Sequence, residues 1–114
     1  MVLSSCVRAG TGVQSPSRYN QPSMLVARRI IVSGRVQGVG FRYFALEVAR
    51  REGVTGTVQN LDDGRVEAVV EGDRDAVDRF ERAIRRGPAG AHVDDVIVEM
   101  EPPSGTLRQF RILP

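Results

Sequence analysis

Three glycines in seven residues lead into an aromatic and an arginine in the segment Gly34-Arg35-Val36-Gln37-Gly38-Val39-Gly40-Phe41-Arg42. A loop of this composition can turn several main-chain N–H groups inward. With the positive end of a following helix, such donors form a cradle for an anion. Arg42 falls in the first turn of that helix, where a cation opposes the helix dipole. An anion held between the loop and the guanidinium reverses that balance, and a planar guanidinium suits bidentate binding of phosphate or carboxylate. The same residues are also compatible with a plain strand-to-helix turn that carries a surface arginine. No Lys-Ser/Thr pair follows, so the segment is not a nucleotide-triphosphate loop. Its spacing, and the lack of a following βαβ unit with an acidic residue, exclude a dinucleotide fingerprint.

Other polar residues carry weaker signals. Asn60 ends the segment Gly56-Thr57-Val58-Gln59-Asn60 just before a turn, where Asn is common for its turn chemistry alone. Arg35 is read as pointing to solvent. Gln37 either braces the loop or lines a site. His92 is a lone histidine at the start of a strand, and Asp62 and Asp63 are adjacent acids in a solvated turn.

The elements that must position these residues follow from the hydrophobic pattern. Residues 25–34 are apolar and β-branched around Ile30–Val32 and predict a strand buried on both faces. Phe41, Ala45 and Val48 fall at helical spacing, so a helix is expected from Phe41 or Arg42 to Glu52, stopped by Gly53. Val54 to Asn60 and Arg65 to Gly72 read as two strands joined by the hairpin turn Leu61-Asp62-Asp63-Gly64-Arg65. Asp73 can cap a second helix running to about Arg86, with Val77, Phe80 and Ile84 inward. On its outer face Asp75–Arg79, Asp78–Arg82 and Glu81–Arg85 are spaced as ion pairs. Val93 to Glu101 is a third strand, with one exposed face, in which Val96, Val98 and Met100 alternate with Asp95, Ile97 and Glu99, and Leu107 to Leu113 is a short last one. The β-α-β-β-α-β order predicts an α+β, ferredoxin-like sandwich: an antiparallel sheet with two helices on one face, plus the final short strand. That fold hosts enzymes, RNA binders and regulatory modules, so it selects no function.

Composition narrows the classes. With 114 residues, one domain is expected. One cysteine, Cys6, and one histidine exclude an internal disulfide framework and a Cys/His zinc site. Every one of the 16 basic residues is Arg, so chemistry that needs a lysine is excluded. The net charge of +2 belongs to Arg8 and Arg18, because residues 24–114 carry 14 Arg against 14 acids. A domain of balanced charge, with no aromatics on the strands Ile30–Val32 and Val66–Val70, does not resemble an RNA-binding sheet. No apolar run approaches the roughly 20 residues of a membrane span. Residues 1–23 are rich in Ser, Gly, Gln and Pro and read as a disordered extension, with Cys6 dispensable. A lipoprotein signal, a transit peptide and a true start at Met24 are the other readings. The folded domain is expected over residues 24–114, as a cytoplasmic monomer.

Gly34-Arg35-Val36-Gln37-Gly38-Val39-x-Phe41-Arg42, followed by Gly56-x-Val58-x-Asn60, closely resembles the acylphosphatase signature. The spacing of the two parts, the element order and the length of residues 25–113 resemble that family as well. The resemblance implies hydrolysis of the carboxyl–phosphate bond of acyl phosphates to carboxylate and inorganic phosphate, with no metal, no other cofactor and no phosphoenzyme. By position it implies that Arg42 binds the phosphate. The main-chain N–H groups of Arg35, Val36, Gln37, Gly38, Val39, Gly40 and Phe41 would cradle it, and Asn60 would orient the attacking water. The implied partners are small-molecule acyl phosphates, with inorganic phosphate or another anion as product or inhibitor; nucleic acid and membrane are not expected. Two other classes stay open: a non-catalytic anion-binding or RNA-binding module, and an acylphosphatase-like domain of a larger carbamoyl-transfer protein. Three departures from the family pattern stand out. Thr57 replaces a frequent Trp and is expected to affect the local core. Gly40 replaces bulkier residues and is expected to loosen the loop. Phe110-Arg111-Ile112-Leu113-Pro114 replaces an apolar-x-Ile-Arg-Tyr-like end, which leaves a contact from that terminus to the site open.

Overall fold

A computed structural model of the chain describes residues 24–114; the expectations for residues 1–23 lie outside the described residues. Seven elements follow in order: β1 (Leu25–Arg35), α1 (Phe41–Glu52), β2 (Thr55–Asn60), β3 (Val66–Asp73), α2 (Arg74–Arg86), β4 (His92–Glu101) and β5 (Phe110–Ile112). The sheet order is β4-β1-β3-β2-β5. The first four strands pair antiparallel, as the βαββαβ order requires, and β5 adds to β2 in parallel.

Alternation along the strands separates two faces. Ile30, Val32, Val58, Val66, Ala68 and Val70 form one face and meet the buried residues of both helices in a single core. Phe80 and Phe110 pack with ring centroids 5.6 Å apart, which ties α2 to the last strand. Each such large apolar side chain contributes roughly 1.5–3 kcal/mol of burial free energy. The β1–β3 register places Val32 beside Val66, and the β2–β3 register places Asn60 beside Val66 too. The end of β1, where the glycine loop begins, and the end of β2, where Asn60 sits, therefore flank the same point of β3.

The predicted α2 is present, with Asp73 accepting from the Asp75 N–H at 3.2 Å. Of its three expected surface pairs, Glu81 with Arg85 forms at 3.1 Å, and Asp75 acts electrostatically on the Arg79 guanidinium. Partners from other elements take the neighbouring charges. Arg79 donates to Glu52 of α1 at 2.6 Å, and the buried Arg28 of β1 reaches Asp78 at 2.7 Å and Glu81 at 2.9 Å. These contacts tie α2 to α1 and to β1 beneath it. Met100 keeps to the face of Val96 and Val98 but is exposed, opposite Arg28, where that face of the sheet is charged rather than apolar.

On the other face Arg29 donates to Glu67 and to Glu99, and Gln59 Nε2 donates to Glu67 Oε1 at 2.8 Å. Burial raises the Glu67 carboxyl, but the hydrogen bonds from Gln59 and Arg29 outweigh it and hold the group below its ordinary range. Thr57 lies on this face, between the core residues Gly56 and Val58, so the replacement expected to touch the core does not reach it. Residues 102–109 do not extend the last strand. They cross to Glu71, whose carboxylate accepts from Ser104 N at 2.9 Å, Ser104 Oγ at 3.0 Å and Gly105 N at 2.6 Å. This anchor delivers the chain to β5.

Candidate active site

The segment after β1 enters α1 through a left-handed residue. Gly40 is the N-cap, with φ 78° and ψ 20°, and a side chain would strain that conformation. No side chain caps the helix, and its first turn carries no acid. The first intrahelical bond runs from Phe44 N to Gly40 O at 3.0 Å. The N–H groups ahead of it have no intrahelical acceptor. Helix α2 is the contrast within this molecule, since Asp73 and Asp75 supply both the cap and the acid there. The amino end of α1 thus has neither a cap nor an acid of its own to meet its donors and its positive potential.

Val36, Gly38, Gly40, Phe41, Arg42, Tyr43 and Asn60 line one pocket of about 130 Å³ at this helix end. Val36 and Phe41 are buried and root the loop in the core. Arg42 is half-buried, and its Nη1 donates to the Leu113 carbonyl at 3.2 Å. Leu113 is held in turn, its N–H donating to Val58 O at 2.8 Å. The question left open about the C-terminal segment is thereby answered: it meets the site through its main chain. Asn60 closes β2 and is half-buried. Among the described residues its carboxamide makes no hydrogen bond, and it faces the same pocket as Arg42.

The structure brings together both parts of the motif. Arg35 stays in β1, paired with His92, and is exposed. Gln37 turns away from the pocket: its Nε2 donates to Leu61 O at 2.8 Å and Arg65 O at 3.0 Å, so it braces rather than lines. Val39 packs against the core. Sequence reasoning missed Tyr43, which is 70% exposed at the pocket's rim, and the Leu113 carbonyl. Asp63 does not stand free in its turn; it accepts from Arg65 N at 3.1 Å and pairs with the Arg65 guanidinium at 2.8 Å. His92 pairs with Asp94 at 3.0 Å on β4 and does not line the pocket.

A bare helix end, a half-buried arginine and an unpaired carboxamide meet around one small pocket on a ferredoxin-like sandwich. The family model described as acylphosphatase matches residues 28–112. An acylphosphatase of Trichormus variabilis is 52% identical over 90 residues, covering 79% of this chain and 88% of its own. One of Pyrobaculum arsenaticum is 52% identical over 86 residues, covering 75% and 90%. The crystal structure of acylphosphatase from Bacillus subtilis superposes with a TM-score of 0.76 at 42% identity, over 80% of this chain and all of that one. The chain belongs to the acylphosphatase family and is an enzyme of acyl phosphate hydrolysis. The unit also resembles part of a larger chain: full-length HypF matches with a TM-score of 0.74 at 26% identity, over 12% of that chain.

Proposed function

We propose that this enzyme holds the phosphoryl group of an acyl phosphate in the pocket between Arg42 and the 35–41 loop, and that Asn60 orients the water that attacks it. The observation that carries this reading is the shared pocket of Arg42 and Asn60 at a helix end without a cap of its own. The leaving carboxylate is already a weak base, so little acid catalysis is required. What remains is to align water with phosphorus and to stabilise charge on the equatorial oxygens. The loop N–H groups and the Arg42 guanidinium supply that stabilisation, with the Leu113 carbonyl steering Arg42.

The Asn60 carboxamide accepts a hydrogen bond from the water. The water oxygen bonds to phosphorus as the phosphorus–carboxylate bond breaks, and the carboxylate leaves with the electron pair. Asn is a poor base, so the water's proton passes to a phosphate oxygen of the substrate. The pocket lining carries no carboxylate, imidazole or thiol among the described residues, which favours direct attack by water over a phosphoenzyme. Independence from metal, a monomeric state and a cytoplasmic setting complete the reading.

The test is release of carboxylate from benzoyl phosphate with EDTA present, for the wild type, Arg42→Ala and Asn60→Ala. Turnover in the wild type that both substitutions cut by about 10²-fold or more, in folded proteins, is the expected result. Full activity in either variant overturns its assigned role.

A further inference from the structure

Gln37 sits inside the phosphate-loop motif, yet its side chain spends both of its amide hydrogens elsewhere. They go to the carbonyl oxygens of Leu61 and Arg65, the two ends of the turn that follows Asn60. The reversed amide would set its oxygen against two carbonyls, so the orientation is fixed by the partners. The same two carbonyls close the turn on themselves: Gly64 N donates to Leu61 O at 3.1 Å, and Leu61 N donates to Arg65 O at 2.7 Å. Each carbonyl therefore has one main-chain donor and one from Gln37.

Leu61 is the next residue after Asn60, and Asn60 has no side-chain hydrogen bond of its own among the described residues. No hydrogen bond on the Asn60 side chain fixes its place; the β2–β3 pairing with Val66 holds its main chain on one side, and the turn that begins at Leu61 holds it on the other. We propose that Gln37 is a positioning residue for Asn60: it links the segment that cradles phosphate to the turn that carries the water-orienting carboxamide, and fixes their separation. This rests on the function proposed above, in which Asn60 acts on the water and the loop on the phosphate. The link sets the distance from phosphorus to water, a quantity on which the rate depends steeply.

The experiment uses Gln37→Met, which keeps the volume and removes both donors, together with Gln37→Asn, which keeps the amide but shortens its reach. Both carbonyls retain their main-chain donors, so the fold is expected to persist, and a melting curve checks it. For both variants kcat should fall by about 10- to 100-fold, while the inhibition constant of inorganic phosphate stays within about twofold of wild type. In an Asn60→Ala background the Gln37→Met loss should largely vanish, because the residue through which it acts is gone. An unchanged kcat, or a phosphate constant that weakens in step with kcat, overturns the proposal. An equal loss of kcat in the Asn60→Ala background overturns it too. If Asn60→Ala alone keeps full activity, the underlying reading fails first, and that single variant shows it.

Discussion

Arg42 and Leu113 lie 71 residues apart in the chain, and the guanidinium of one donates to the main-chain carbonyl of the other at 3.2 Å. The contact ties the first turn of α1 to the chain just beyond β5. It holds a cation at a helix amino end that would otherwise repel it. It also leaves other guanidinium N–H groups for a ligand, since the Leu113 carbonyl is its one protein acceptor among the described residues.

Deleting Leu113 and Pro114 should therefore loosen Arg42 without removing it. The expected outcome is a phosphate inhibition constant raised about 10-fold or more, consistent with the roughly 1.5–3 kcal/mol net worth of one hydrogen bond to a charged group. Phe110 remains in the core, so the variant should stay folded. Replacing Arg42 by Lys tests the other half of the arrangement. A point charge cannot bridge the carbonyl and the phosphate as a planar fork does, and the loss should approach that of Arg42→Ala.

Gly56 allows a different kind of test. Its φ is 144°, and a Cβ there would sit 1.8 Å from Val69 O. Neither atom can move without breaking the β2–β3 ladder. Gly56→Ala should cost more than about 3 kcal/mol or prevent folding, read by urea denaturation. Gly64→Ala, with φ 95° and open space around it, should cost about 1–2 kcal/mol.

The anchor at Glu71 predicts a pH dependence. Hydrogen bonds from the Ser104 and Gly105 N–H groups hold the Glu71 carboxyl below its ordinary range. A carboxyl with a depressed folded value contributes stability that is present above its unfolded value, near 4.5, and lost as pH falls through the folded value. Glu71→Gln removes that contribution. The melting temperature of the variant should lie below that of wild type at pH 7, and the two should converge as pH falls below 4.5 and through the folded value.

Thr57→Trp examines the open face of the sheet. Thr57 pairs with Val69 and Arg111, away from the core. A large ring there should alter stability by less than about 1 kcal/mol and leave kcat unchanged, because the site lies on the opposite face.

Much of the fold was legible because each element is marked locally. Gly53 ends α1 and Asp73 begins α2, where a glycine and a capping carboxylate were read. Arg42 and Asn60, which line one pocket, were singled out as types at a spacing. What was not legible depends on partners distant in the chain. Arg79 reaches Glu52 of α1 and Asp78 reaches Arg28 of β1, tertiary partners that a pattern along one helix does not record. The last strand shrinks to Phe110–Ile112 because Glu71 holds Ser104 and Gly105 aside, and an apolar pattern records no such contact. The Leu113 carbonyl left no trace in the sequence, since every residue carries one. The orientation of Gln37 was equally hidden until Leu61 and Arg65 were seen across the gap.

The uncapped amino end of α1 couples ligand occupancy to the free energy of unfolding. A helix whose first-turn donors wait for an outside acceptor reaches its full stability only when that acceptor is bound. An anion that prefers the native state raises stability by RT ln(1 + [L]/Kd), about 2.7 kcal/mol at a hundredfold excess over Kd. Inorganic phosphate should thus raise the melting temperature in a concentration-dependent way, and the rise should be smaller in Arg42→Ala. On the proposed function the reaction product should then act as a thermal protectant, so that heat resistance of this enzyme would track the phosphate level around it as well as its own packing.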